Sequence, residues 1–477
     1  MSQSLPTAAR AVAFSPEDAG DLLAVLTAVP DPRRGGVRRH PLAYVLGVLV
    51  VAFACAGFES FVGAAQWTGG ADPELLLALG AAPEPLTGAV VMPSEATIRR
   101  MATRVNAAAL ESVIAAWTAS RLAHRAPGAD RIAVAVDGKT VPGARVGQRR
   151  APHLLSAATH DRSLVLAQRQ IPSKTNEIPM ATLVDDLRTA GYNPAAMVFT
   201  LDALHTQHTT TRLLECAGAG YVMTVKGNQP SLLAAVINRL REQHPTRIRQ
   251  SSRGHDRTEQ RHLHVVPADG IVFPGAAQVF RIIRYTGGLD GQRTRKEVVH
   301  SITNLTIQQA DAHQLAALVR GHWSIENSVH WVRDVTYGED AHRVRTGNAP
   351  AVLAAIRNTV TTALRLASAA NIAAARRTAT LDPRTAIRLI HLNSPEPRNR
   401  TNSRYDGTLR HEPPPCSAGQ RCTTGSPTHS PWRTRGLDRQ CRRRLRQPNS
   451  LTFLPPACPM LETVAVCKDH SSVSSQM

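Results

Sequence analysis

The residues whose types and spacing suit chemistry lie in one stretch, GHWSIENSVHWVRDVTYGEDAHR, residues 321–343. His322, Glu326 and His330 recur every four positions, and Arg333 follows. On a helix, residues three or four apart stack on one face, so a carboxylate stands between two imidazoles and near a guanidinium. Leu315, Leu318, Ile325, Val329 and Val332 form an apolar seam beside them. A solvated face next to a core stripe would account for such a pattern too. The reading preferred here is that Glu326 completes a metal site whose other ligands lie far upstream. Histidines four apart can flank zinc, but the order here is not HExxH. Asp334, Glu339 and Asp340 suit helix-end caps or holders of basic side chains better than metal ligands.

Two upstream aspartates are the candidate co-ligands. RIAVAVDGKTVPG, from residue 131, alternates as a buried strand, with Asp137 expected at its end and Gly138 opening a turn. AAMVFTLDA (195–203) is a second buried strand ending at Asp202. On spacing alone, these aspartates read equally well as turn or cap residues. Between and after them come strands at 153–160 and 163–171, a helix over 178–191 closed by Gly191, a helix over 205–220 and a strand over 221–228. Three strands, helix, strand, helix, strand predicts a mixed sheet covered by helices, as in ribonuclease-H-like folds. There the first and fourth strands pair, so Asp137 and Asp202 become neighbours at strand ends.

The rest of the chain must hold these groups in place. The chain has 477 residues, a formal charge of +20 and a pI near 10.8, which points to a polyanion partner, either nucleic acid or an anionic membrane surface. No basic start with an apolar core opens the chain, so no secretory signal is expected. Leu42–Phe58 is short for a membrane span, diluted by Ala and Gly, and reads as a buried helix. Of seven cysteines, Cys55 and Cys216 stand alone in apolar helical contexts and five crowd the C-terminal end without a CxxC pair, as expected of a reduced, cytoplasmic protein. A helical domain is expected over 20–125, with Ser94 capping one helix after the basic loop 30–41. The α/β domain is expected over 128–393, interrupted by a β-rich, basic insertion at about 244–308 and closed by an apolar helix over 349–375. Residues 394–477, rich in Pro, Ser, Arg and Cys without helical or strand period, cannot bury a core and read as a disordered tail or as accidental coding sequence.

Ordered motifs over about residues 20–390 carry a resemblance. They are PDPR…RHPL (30–42), PSEATIRR (93–100), AVDGKT (135–140), HLLSAATH (153–160), KTNEIP (174–179), LDALHTQ (201–207), VKGNQP (225–230), GHDRTEQR (254–261), GHWSIENSVHWVRDVTYGED (321–340) and IRNT (356–359). The chain resembles the bacterial insertion-sequence transposases of the DDE type, specifically the ISAs family with its H-repeat-associated proteins. The resemblance implies a ribonuclease-H-like core with a β-rich insertion, preceded by a helical associated domain. It implies a catalytic and metal-binding triad of Asp137, Asp202 and Glu326 holding two Mg²⁺, with Mn²⁺ as a substitute. The implied partners are double-stranded DNA, the terminal inverted repeats of its own element, target DNA and a second copy at DNA ends. The expected location is the cytoplasm, at the nucleoid, with no membrane. Lys139, Lys226, Asn228, Gln229, His255, Arg261, Arg320 and Arg333 are the candidate DNA contacts, with His205 as a further polar group near the site; ordinary solvated side chains are the alternative. The chain departs from related patterns at Arg333 (elsewhere lysine), His322 (elsewhere arginine) and Pro142 (usually arginine). An inactive DNA-binding relic and a metal-dependent nuclease are the rival readings.

Overall fold

A helix apolar on every side must be enclosed by others, and Leu42–Ala54 is such a helix: of its thirteen residues only Ala43 is not buried. The computed structural model describes residues 21–35, 38–123, 131–147, 151–171, 178–254, 257–288 and 293–390. The first twenty residues, most of KTNEIP, His255 and the tail from 394 lie outside the described residues. Six helices come first: α1 (Leu22–Leu26), α2 (Leu42–Ala54), α3 (Phe61–Gly70), α4 (Pro73–Ala78), α5 (Glu95–Arg104) and α6 (Ala107–Ala123). Ser94 caps α5 as expected, its Oγ accepting from the Thr97 amide at 3.3 Å. Among the described residues no helix is long and apolar enough to cross a membrane.

Among the described residues nine strands form one sheet: β1 (Ile132–Thr140), β2 (His153–Thr159), β3 (Val165–Ile171), β4 (Met197–Leu201), β5 (Gly220–Val225), β6 (Thr246–Gly254), β7 (Arg257–Pro267), β8 (Gln278–Gly288) and β9 (Arg293–Thr303). Their order is β3-β2-β1-β4-β5-β9-β8-β7-β6. β1, β4 and β5 run parallel, and all other pairs are antiparallel. The four strands from Thr246 to Thr303 thus extend the same sheet from the edge of β5. Helices α7 (Ile178–Thr189), α8 (His208–Cys216) and α9 (Pro230–Glu242) share a core with one face, through Val134, Val136, Phe199 and Met223.

The opposite face carries α10 (Ala312–Ser324), started by a capping box in which Asp311 and Gln314 satisfy each other's backbone amides. The helical path then continues, but not at the expected 3.6-residue period. Ile325–His330 and Val332–Thr336 are π-helical, bonded to the fifth residue back, a geometry that recurs at functional sites. Ile325 and Val329 still pack inward, onto Ala135, Ala158 and Val165. Alanines in these strands let the segment come close.

Three expectations are corrected here. Gly138 opens no turn, because β2 stays paired to β1 through Thr140. The expected single helix over 349–375 is two, α11 (Ala349–Leu366) and α12 (Ile372–Leu381), followed by α13 (Pro383–Ile390). Ser368 takes a left-handed φ of 64°, and Asn371 starts α12 by accepting from the Ala374 amide at 2.9 Å. Helices α11–α13 share one core with α1–α6, built around Phe53, Trp117, Ile356 and Ile390. Cys55 is buried as expected, whereas Cys216 is exposed near the end of α8.

Candidate metal centre

Strand period decides which side chains meet the glutamate. Val134 and Val136 point into the core under α7 to α9, so Ala135, Asp137 and Lys139 project from the opposite face, toward the π-helical segment. On β4 the same parity puts Val198, Thr200 and Asp202 on that face. The register pairs Ala135 with Thr200 and ends at Val136 with Leu201. Asp137 and Asp202 therefore stand side by side just where the parallel pairing stops. Asp137 is mid-strand, not at the strand end as expected; it marks the end of one partner only. Asp137, Asp202 and Glu326 line a single cavity of about 320 Å³ with Thr200, Lys226, His322 and Trp323.

At the edge of this cavity His330 joins two of the carboxylates: ligand atoms of Asp137, Glu326 and His330 lie within 4.8 Å of one another. His330 Nδ1 is 2.9 Å from Glu326 Oε2 and 3.4 Å from Asp137 Oδ2. Asp202 lines the same cavity, its Oδ1 accepting from the Leu204 amide at 3.0 Å. Glu326 is ionised in the ordinary pH range: the hydrogen bond from His330 holds its carboxyl below the usual value despite burial.

His322 turns away from Glu326, which removes the histidine–glutamate–histidine arrangement. Its Nδ1 is 3.0 Å from Thr200 Oγ1, and His160 Nε2 reaches the same hydroxyl at 2.9 Å. Burial lowers the pKa of His322 despite nearby Asp137 and Asp202, and likewise that of His205. Burial and His322 push His160 down to about 4. These three imidazoles are neutral at pH 7, so the floor of the site adds no cation to the carboxylates. Spacing along the chain did not reveal the link from His160 through Thr200 to His322. The only available signal was the shared parity of Thr200 and Asp202.

Four of the expected DNA contacts are engaged elsewhere. Arg333 is 1 % exposed; its Nε donates to Glu339 Oε2 at 2.8 Å and its Nη1 to Gln168 Oε1 at 3.0 Å. Arg357 closes the far side of Glu339 at 2.9 Å, and the same Gln168 oxygen accepts from Asn358 at 2.8 Å. Lys139 is nearly buried and paired with Asp334 at 2.6 Å and Asp340 at 3.4 Å. The expectation that Asp334, Glu339 and Asp340 hold basic side chains thus agrees with these contacts. Asn228 donates to the Ala203 carbonyl at 2.7 Å and Gln229 to the Thr206 carbonyl at 3.1 Å, tying β5 to the turn after Asp202. A guanidinium locked onto a buried carboxylate, or a nearly buried ammonium held by two carboxylates, is not available to a phosphate.

Lys226, Arg261 and Arg320 are placed differently. They line a groove of about 840 Å³ between α10 and strands β6–β9, together with Arg257, Arg284 and Arg295. Glu259 pairs with Arg257 and Arg261, and Glu297 with Arg284 and Arg295, so six cations face two carboxylates. Lys226, Val299, Val319 and Trp323 belong to both this groove and the metal-site cavity, so the two are continuous.

Known proteins resemble this chain over both its helical and its α/β parts. The family model described as "Transposase DDE domain" matches residues 128–362, and that of its associated domain, "DDE_Tnp_1-associated", matches 23–118. "Putative transposase YncI" of Escherichia coli O157:H7 is 27 % identical over 372 residues, covering 72 % of this chain and 87 % of that protein. "H repeat-associated putative transposase YhhI" of Escherichia coli K12 is 28 % identical over 284 residues, covering 56 % of this chain and 72 % of that protein. With both domain models matched in order, and the three acidic residues gathered in one cavity, the chain belongs to the DDE transposases of insertion sequences.

Proposed function

We propose that this chain cuts the ends of its own insertion sequence and joins them to target DNA, using Asp137, Asp202 and Glu326 as the ligands of two Mg²⁺, for which Mn²⁺ substitutes. The observation that carries the reading is the convergence of these three carboxylates, 189 residues apart at the extremes of the sequence, in one cavity that opens into a basic groove. The core is read as ribonuclease-H-like, supported by the order β3-β2-β1-β4-β5 with β4 and β5 parallel to β1.

The donor set fits hard divalent cations: carboxylate oxygens dominate, and Glu326 is ionised. When bound, such ions supply the positive charge that stabilises the phosphorane and acidifies the attacking water or 3′-hydroxyl. The protein's own part is placement. Asp137 and Asp202, fixed by adjacent parallel strands, present their carboxylates side by side, and Glu326 approaches from the facing helix. Lys226, Arg257, Arg261, Arg284, Arg295 and Arg320 would orient the phosphates of double-stranded DNA along the groove leading to them. In each cleavage the entering oxygen bonds to phosphorus and the 3′ oxygen departs. In the joining step that freed 3′-hydroxyl is the entering group. The terminal inverted repeats would be the specific substrate, with a homodimer holding two ends.

Mg²⁺-dependent cleavage of DNA bearing the element's ends tests this. Glu326→Gln is expected to bind the DNA as wild type does and to cut at least about 100-fold more slowly, because a metal ligand is lost. Cutting at the wild-type rate would refute the site. Cutting without joining would point to a nuclease instead.

A further inference from the structure

His330 is not needed as a metal ligand by the triad, yet it is among the most enclosed polar side chains in the molecule, 3 % exposed. Its Nδ1 faces two carboxylates, Glu326 Oε2 at 2.9 Å and Asp137 Oδ2 at 3.4 Å. Its Nε2 is buried and has no hydrogen-bond partner among the described residues. A neutral imidazole carries one N–H and one lone pair, and the surroundings select the tautomer. An N–H at Nε2 would be a buried donor with nothing to receive it, while Nδ1 would turn its lone pair onto two anions. The reverse tautomer removes both costs: Nδ1–H donates to Glu326, and only a lone pair is left unmatched at Nε2.

That tautomer has a consequence for the site. A nitrogen that carries hydrogen cannot ligate a cation. Although His330 stands within 4.8 Å of the carboxylate ligand atoms, its nitrogen is a donor to a ligand and not itself a ligand. We propose that His330 is a positioning residue, whose Nδ1–H holds one oxygen of Glu326 and turns the other toward the cations shared with Asp137. The π-helical turn Ile325–His330 sets both residues on this face while Ile325 and Val329 stay in the core. Without this hold, Glu326, whose side chain is 57 % exposed, has no other side-chain hydrogen bond among the described residues to keep it at the cavity rim. The proposal rests on the reading of the site as a two-cation phosphodiester centre.

The test uses the full chain, with Mn²⁺ alone titrated calorimetrically into wild type, His330→Leu and His330→Asn, and with DNA binding and thermal midpoint measured beside it. Asn places an amide N–H near the position of Nδ1, whereas Leu fills the space without a donor. His330→Leu is expected to weaken Mn²⁺ binding by about 10–100-fold, the usual effect of losing such a partner, with DNA affinity unchanged. His330→Asn is expected to recover to within about fivefold of wild type. Wild-type Mn²⁺ affinity in the Leu variant would overturn the proposal. So would equal weakening in both variants at an unchanged thermal midpoint, since the ring nitrogen would then be a ligand. Should the Leu variant not fold, the tautomer decides: ¹⁵N shifts of the His330 ring must show hydrogen on Nδ1, and hydrogen on Nε2 refutes it. Glu326→Gln serves as the control for the site itself. If that variant binds Mn²⁺ as tightly as wild type, the two-cation reading fails, whatever His330 does.

Discussion

Replacing Glu339 by glutamine should unfold this protein more readily than almost any other single-atom-scale change, and the structure gives the size of the effect. Glu339, Arg333 and Arg357 are each no more than 2 % exposed. The carboxylate accepts from Arg333 Nε at 2.8 Å and from Arg357 Nη1 at 2.9 Å, one guanidinium on each oxygen. At an effective dielectric near 20 and about 4 Å between charge centres, each attraction is about 4 kcal/mol before desolvation is counted. Glutamine keeps the shape, removes the charge and strands two buried cations, a break that typically costs about 3–5 kcal/mol. Against a total stability of about 5–15 kcal/mol that is about a fifth at the least. Chemical denaturation of the full chain should show it, with little relief from added salt, because the trio is shielded from solvent. Replacing all three residues by methionine should recover most of the loss, since no charge is then left unpaired. There is also a pH signature. Burial pushes the Glu339 carboxyl up, but Arg333 and Arg357 together pull it below the usual value. Its contribution is therefore complete above the unfolded value near 4.5 and is lost as pH falls through the lower folded value, an acid limb that Glu339→Gln abolishes. A cost under about 1 kcal/mol would mean that the trio behaves as a surface pair, and would refute the argument.

Two further perturbations probe the scaffold. A Cβ at Gly321 would lie 2.2 Å from His160 Nδ1 and 2.8 Å from its Cγ, so Gly321→Ala must displace the ring that reaches Thr200. Alanine ordinarily favours a helix by about 1 kcal/mol, but the clash should reverse the sign to a loss of about 1–3 kcal/mol; a higher denaturation midpoint would contradict it. Glu111 keeps part of its surface, yet its carboxyl is packed among protein atoms. Burial pushes it up to about 8, even with Gln168 donating to it at 2.6 Å. The folded state thus keeps a proton that the unfolded state releases above about 4.5, and stability should fall as pH rises from there to about 8, by at most about 1.4 kcal/mol per unit. Glu111→Gln should flatten that slope in denaturation series run from pH 5 to 8; an unchanged slope would assign it to another group.

Local pattern made much of this molecule legible. Alternation in RIAVAVDGKT and AAMVFTLDA identified the two central strands, and the order of elements implied that they pair, which is the register seen between β1 and β4. The serine before EATIRR and the glycine at 191 marked a helix start and a helix end because caps are local: they depend on side chains within a few residues. Strand parity and helix spacing made Asp137, Asp202 and Glu326 candidates, but on spacing alone the aspartates read equally well as turn or cap residues, and it was the resemblance to the DDE transposases that implied a triad. What spacing misjudged was availability. Arg333, Lys139, Asn228 and Gln229 look like solvent-facing polar residues, and only the packed chain shows Glu339, Asp334 and two backbone carbonyls already holding them.

The sequence by itself thus determined which segments are strands and helices and where most of them stop, and its resemblance to the transposases singled out three carboxylates as candidates for metal. The tertiary structure alone decided the rest: that the helical turns around Glu326 are π-helical, that His330 sits between Glu326 and Asp137 while His322 turns to Thr200, and which cations line the groove. The physical reason is range. Periodicity and capping are set by neighbours along the chain, whereas the partner of a buried charge is set by whatever the fold brings opposite it, and Gln168 lies 165 residues from the Arg333 that it receives.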